Sequence, residues 1–339
     1  MKNKYENCDK TYEDLTKLRD ENGFINLDNI EINFSLDSRE KKGNAQRDKN
    51  WIKLSDGRKF LLKLDDNVLG NQTGLCYSEL IVDELAKQVG IDTAFYDIVK
   101  KDGKVGVISE KIISDDEELI TLEDVINGAG DVSSEGYTDL TDLLEVFRGM
   151  ISGMKDANME KKDIKEQLMN VQKKLVFDMF TLASDNHSEN ISFVIRNDST
   201  KLEISKMYDN EKSLLLESPE SDIDEIYMND INMIKYDSDM SMPKMVIFPE
   251  DNDDPKANEI WMYTFDQLYM YSDEIGDFAY DCSQNLNIDD AIEKVEERIG
   301  AKIPEKYADV AKYSFECRKK QIDRIMEYGY DDIVNEKTL

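Results

Sequence analysis

Asp185-Asn186-His187-Ser188-Glu189-Asn190 and the later Met207-Tyr208-Asp209 are the residues whose types and spacing could do chemistry. In phosphoryl transfer a protein mainly positions the nucleophile and balances the charge on the transferred group. The least apparatus is one carboxylate near the attacking hydroxyl and oxygen ligands for magnesium. Asp185, Asn190 and Asp209 could supply these. His187 is the only histidine in 339 residues, so it has no histidine partner for a metal site. Read alone, Asp185 is equally a turn or helix-capping aspartate. Its coincidence with Asn190, Asp209 and an upstream lysine favours the chemical reading.

That lysine lies in a cationic island. Between Arg39 and Lys63 there are nine basic residues against Glu40, Asp48 and Asp56, in a chain of 43 Lys+Arg, 74 Asp+Glu and formal charge -31. A solvated hairpin face with balancing lysines is the plainer explanation; a triphosphate site is the sharper one. Gly43 to Lys49, including Gln46, could form a loop whose backbone N–H groups and cationic side chains approach phosphate oxygens. Lys63 ends the run Phe60-Leu61-Leu62 as an inward-pointing strand lysine, and a half-buried ammonium needs an anion. Glu79, on the following helix, can provide one, although a solvent-facing position for it stays open.

The elements that must position these groups are legible in part. Trp51 to Leu64 around Asp56-Gly57 reads as a β-hairpin, and Ala94 to Lys111 around Asp102-Gly103 as a second. Between them Leu80, Ile81, Leu85 and Val89 recur at helical spacing from Tyr77, with Gly90 as the stop. Residues 127–137 read as a loop. Helix follows from about Leu140, and again from Lys161 to Leu182; the Asp185 segment comes just after it, then Ile191 to Ile195 as a strand. Residues 217–258, acidic and interrupted by prolines, read as loops with short helices. Leu268 to Tyr280, Asp289 to Ile299 and Pro304 to Met326 read as helices.

The whole chain sets the limits. Its length suits two domains on a prior of roughly 100–200 residues each. Its charge repels nucleic acid and anionic membrane surfaces, which argues against direct nucleic-acid binding. Cys8, Cys76, Cys282 and Cys317 are widely spaced, without a C-x-x-C pair, and read as reduced thiols. No secretory signal and no run of ~20 apolar residues is present, so the expected location is cytoplasmic, away from membrane.

A strand lysine, a glutamate on the next helix, a hydrophobic strand and an Asp-x-His-x-x-Asn segment occur here in kinase order. This set resembles the HipA-like serine/threonine kinases over roughly residues 40–330. The resemblance implies an α+β, bilobal protein-kinase-like fold: a small antiparallel β lobe with one helix (1–112) and a larger, mainly helical lobe (113–339). It implies Asp185 as catalytic aspartate, with His187 orienting its loop, and Asn190 and Asp209 as magnesium ligands. Lys63 would be the phosphate-contacting lysine, and the backbone of Glu110-Lys111-Ile112 an adenine hinge, with Ile112 replacing the family's aromatic residue. The family's phosphate loop runs Gly-x-Gln-x-Lys with a serine just upstream; here it reads Gly43-Asn44-Ala45-Gln46 and the nearest serines are Ser35 and Ser38.

The activity implied is transfer of the γ-phosphoryl group of ATP, with Mg2+, to Ser or Thr of a protein substrate that the acidic surface expects to be basic. A toxin–antitoxin partner is a further implication of the resemblance. Two alternatives remain: a kinase-like module that binds nucleotide or a partner without transfer, and a phosphatidylinositol-type lipid kinase, which the charge disfavours.

Overall fold

The fold, a computed structural model, is described for residues 6–30, 48–64, 72–128, 143–184, 188–196, 199, 201–227 and 264–329. It combines a small β-sheet lobe with a larger helical part. The two expected hairpins form the sheet's centre. The first is β3 (Asp48–Lys53) with β4 (Lys59–Leu64), the second β5 (Tyr96–Lys101) with β6 (Lys104–Glu110), and β4 pairs antiparallel with β6. The second turn shows why Asp-Gly specifies it: Asp102 and Gly103 both have positive φ, 52° and 76°, as a two-residue hairpin requires.

The expected antiparallel lobe carries short additions at its edges. β1 (Glu6–Asn7) adds parallel to β3, and β2 (Ile25–Asn26) adds parallel to β5, giving six strands in the order β1-β3-β4-β6-β5-β2. A short helix, α1 (Tyr12–Thr16), lies between those edge strands in sequence. Two-residue strands carry no alternation that a sequence pattern can register.

The sheet has two dissimilar faces because strand side chains alternate. Phe60, Leu62, Leu64, Ile52 and Ile108 face a minor core closed by Leu15, Ile25, Leu27 and Ile30 of the N-terminal segment. Val107, Ile98 and Tyr96 face the opposite way, into the main core. That core is shared by α2 (Gln72–Gln88), which starts five residues earlier than the expected Tyr77, and by α5 (Lys161–Phe180), α7 (Asp273–Asn285), α8 (Ile288–Ile299) and α9 (Glu305–Tyr328).

α2 is tied to α8 by polar contacts as well. Arg298 Nη1 lies 2.8 Å from Asp83 Oδ2 and Nη2 3.4 Å from Glu84 Oε1. Gln88 exchanges hydrogen bonds with the Asn287 backbone, at 3.0 and 2.7 Å.

A three-stranded antiparallel sheet of β7 (Glu117–Thr121), β8 (Ser192–Arg196) and β9 (Glu203–Ile204) follows the second hairpin. Helices α3 (Leu122–Gly128), α4 (Leu143–Asp156) and α6 (Glu220–Glu225) complete the labelled elements. The expected helix from Leu268 is instead broken. Residues 264–269 are helical, and α7 begins afresh where the Ser272 hydroxyl accepts from Ile275 N–H. All four cysteines are free thiols. No helix among the described residues is long and apolar enough to cross a membrane.

Candidate active site

Lys63 points to the main-core face of β4, and its side chain is 6% exposed. A buried ammonium needs compensation, and it meets carboxylates from two distant segments: Asp209 Oδ1 at 2.5 Å and Glu79 Oε1 at 3.7 Å. Burial alone would lower the Lys63 pKa, but Asp209, Glu211 and Glu79 outweigh it and hold the ammonium well above its ordinary value. Gly106 permits the strand spacing: a Cβ there would sit 1.9 Å from the Lys63 carbonyl oxygen.

Glu79 is fully buried on α2, which settles the open choice between a solvent-facing and an inward glutamate. Its Oε2 accepts from the Asn210 N–H at 2.8 Å. Its Oε1 is buried and accepts no hydrogen bond among the described residues. Burial, reinforced by Asp209 and Glu211 and opposed by Lys63, pushes the Glu79 carboxyl up to about 8.

The Asp209 segment is laid against the sheet lobe by its backbone. Met207 N–H donates to Asp92 C=O, and Ala94 N–H to Met207 C=O, both at 2.8 Å. Asp209 N–H then donates to the Tyr96 hydroxyl at 2.9 Å. Asp209 itself adopts a left-handed backbone, φ 63°, uncommon for a residue with a Cβ and of the kind found at functional sites. Ser213 N–H donates to Ser78 Oγ at 3.2 Å, fastening the continuation to α2.

Asn190 closes the 3-10 turn Ser188–Asn190. Ser188 Oγ donates to Glu123 of α3 at 2.5 Å, and Leu122 N–H donates to Ile191 C=O at 2.7 Å. Ser192 and Tyr208 share a hydroxyl–hydroxyl hydrogen bond, 2.5 Å, which joins the strand after Asn190 to the residue before Asp209. Asn190, Ser192 and Met207 line one cavity of about 440 Å³.

Of the other sequence-designated residues, Gly43, Gln46, Asp185 and His187 lie outside the described residues. Lys49 is cross-strand neighbour to Lys63. Glu110 ends β6; its N–H donates to Phe95 C=O at 3.0 Å, and its carboxylate is clasped by Arg58 at 3.0 and 3.1 Å. Ile112 packs partly buried against the main core. The cationic island therefore divides. Arg58 and Lys59 balance Glu110 and Asp115, as the plainer reading expects, while Lys63 turns inward.

Sequence reasoning overlooked Glu211, which lies with Glu79 and Asp209 in a group whose ligand oxygens are all within 4.8 Å of one another. The Asp-x-Glu spacing of Asp209 and Glu211 was the available signal. Hard cations prefer such oxygen donors, so the donor set fits magnesium.

An inward strand lysine, meeting a helix glutamate and an aspartate from the helical part, makes the fold kinase-like. Solved structures share it. The Helicobacter pylori proinflammatory kinase CtkA matches with a TM-score of 0.62 and 16% identity, covering 93% of this chain and all 100% of its own. HipA of Shewanella oneidensis, solved with HipB and operator DNA as a toxin–antitoxin complex, matches with a TM-score of 0.52 and 14% identity, covering 88% of this chain and 70% of its own. The fold is thus that of the HipA-like kinases. No protein-family model matches the sequence, and no curated protein matches it.

Proposed function

We propose that the chain is an ATP- and Mg2+-dependent kinase that transfers the γ-phosphoryl group to a Ser or Thr hydroxyl of a protein. The observation that carries this reading is the convergence of Lys63 with Glu79 and Asp209, the latter 146 residues away in sequence. In this reading the sheet lobe is residues 1–112 and the helical lobe residues 113–339.

Lys63 holds phosphate oxygens, and Glu79 fixes the lysine's direction from behind. Asp209 and Asn190 are the residues that would hold magnesium, which when bound supplies positive charge against the phosphates. Asp185 orients the attacking hydroxyl and takes its proton, while His187 braces the loop. Ser184 donates its N–H to Lys212 C=O at 2.8 Å, which sets Ser184 beside the segment that carries Asp209. Glu110 and Ile112 offer backbone to adenine; the Glu110 side chain is already committed to Arg58. Gly43, Gln46 and Lys49 are assigned to phosphate binding in this reading.

The protein partner is basic, since a chain of charge -31 attracts cationic surfaces and repels DNA. For that reason the operator DNA of the HipA complex is not carried over, and an antitoxin-type protein partner stays secondary to the substrate. Incubation with labelled ATP, Mg2+ and a basic protein mixture, beside an Asp185→Asn control, is the test. Label transfer by the wild type alone is expected; equal transfer by both, or none by either, sinks the reading.

A further inference from the structure

We propose that the cavity walled by α5, α7 and residues 205–207 binds a small organic monoanion with an apolar body. None of Lys63, Glu79, Asp209 and Glu211 lines this cavity, and binding there does not depend on the kinase reading.

The cavity measures about 440 Å³, a size at which small molecules are held. Its wall carries Lys173, Lys174 and Lys206 against Asp92 and Asp281, in a chain whose acids outnumber its bases 74 to 43. The three lysines are not equivalent. Lys174 is buried and committed to Asp178 at 2.5 Å, so it is structural. Lys173 meets no carboxylate within ion-pair distance among the described residues; its ammonium stands 5.4 Å from the centre of the Phe278 ring instead. A ring face orients a cation without neutralising it, and three N–H donors remain to be used. Lys206 lies 3.9 Å from Asp92, and a pair so long and so exposed is worth little. The Asn170 side-chain amide also lines the cavity and makes no hydrogen bond among the described residues.

The rest of the wall defines the other end of the occupant. Ile191, Met207 and Phe278 are buried core residues that reach the cavity, joined by the partly buried Ile91 and Ile204. Such a surface takes a hydrocarbon body, at about 25 cal/mol for each Å² removed from water. Asp92 and Asp281 repel a second negative charge, so a carboxylate suits the site better than a phosphate dianion. The occupant is an aliphatic or aromatic carboxylate, its head on Lys173, Lys206 and Asn170. Residues 89–92 join α2 to β5, whereas Lys173 and Phe278 belong to α5 and α7, so the occupant touches the connection to the sheet lobe and the helical part together.

Calorimetric titration of the full chain with octanoate tests the site, with octylammonium as a control of opposite charge and similar body. Saturable octanoate binding below its micelle-forming concentration is expected, weakened at least about tenfold by Lys173→Met, the scale of one charge-assisted hydrogen bond. No saturation, a smaller loss in Lys173→Met, or octylammonium binding as tight as octanoate overturns the inference. Should Lys173→Met fail to fold, nuclear Overhauser contacts in the wild type decide. Contacts from octanoate methylenes to the Phe278 ring support the site, and their absence at saturation overturns it. The kinase reading fails separately. Octanoate binding without phosphoryl transfer leaves the anion site standing and removes the kinase; transfer without octanoate binding does the reverse.

Discussion

Asp97 and Glu79 are both fully buried carboxylates, yet their surroundings are opposite. Asp97, on β5, receives Arg19 through both oxygens at 2.9 and 2.6 Å, the Tyr12 hydroxyl at 2.5 Å and the Ile98 N–H at 2.8 Å. One acid meets one guanidinium with hydrogen bonds to both oxygens. Glu79 has one backbone donor, a more distant ammonium and two further carboxylates as neighbours. A buried charge that is matched and saturated with donors is architecture; one that is crowded by its own sign marks a place where a ligand's charge belongs.

Breaking the matched pair should give the largest effect. Arg19→Ala leaves Asp97 buried without its counter-charge, and about 3–5 kcal/mol of stability is expected to be lost in urea unfolding. Nucleotide affinity of the folded fraction should not change; if it falls in step with stability, the two acids do not have separate duties. Asp209→Asn probes the crowded cluster. Phosphoryl transfer is expected to drop by roughly 10²–10³-fold, the scale of removing one preorganised electrostatic group, while the melting temperature holds or rises because like charge has been relieved. A melting temperature as low as that of Arg19→Ala would abolish the contrast.

Asp115 sharpens the comparison from the surface. It is exposed but clasped by Lys59 at 2.6 Å and Lys111 at 2.9 Å, and these hydrogen bonds hold its carboxyl at about 2, below the ordinary 3.8. Because the folded value is depressed, its contribution is present above pH 3.8 and disappears as pH falls through about 2. A carboxyl-detected NMR titration should show that midpoint, with little change in global stability; a midpoint near 4 means the clasp does not persist in solution.

Much of the site was legible because each part has a local signature. Asp56-Gly57 and Asp102-Gly103 dictate turns, alternation in Lys59 to Leu64 turns Lys63 inward, and helical spacing around Leu80 and Ile81 gives the element that carries Glu79. The N-terminal segment was not legible. Its strands are two residues long and form only against partners far along the chain, Ile25 with Val99 and Glu6 with Ile52. Glu211 escaped for a related reason: in a chain with 74 acidic residues, one more glutamate has no contrast until folding sets it beside Glu79. The break before Ser272 lay in a cap that helical periodicity overrides.

The fastening of α2 to α8 bears on timing. A helix free to swing allows a catalytic lysine and glutamate to be kept apart until a signal arrives. Here, drawing Glu79 away from Lys63 means tearing Arg298 from Asp83 and opening the core that Leu80, Ile81 and Leu85 share with Ile292 and Val295. The expected signature is amide exchange along α2 as slow as in α5, and fast exchange in α2 alone would contradict it. With the helix so fixed, the pair of Lys63 and Glu79 is completed as the chain folds and not by a later swing of α2.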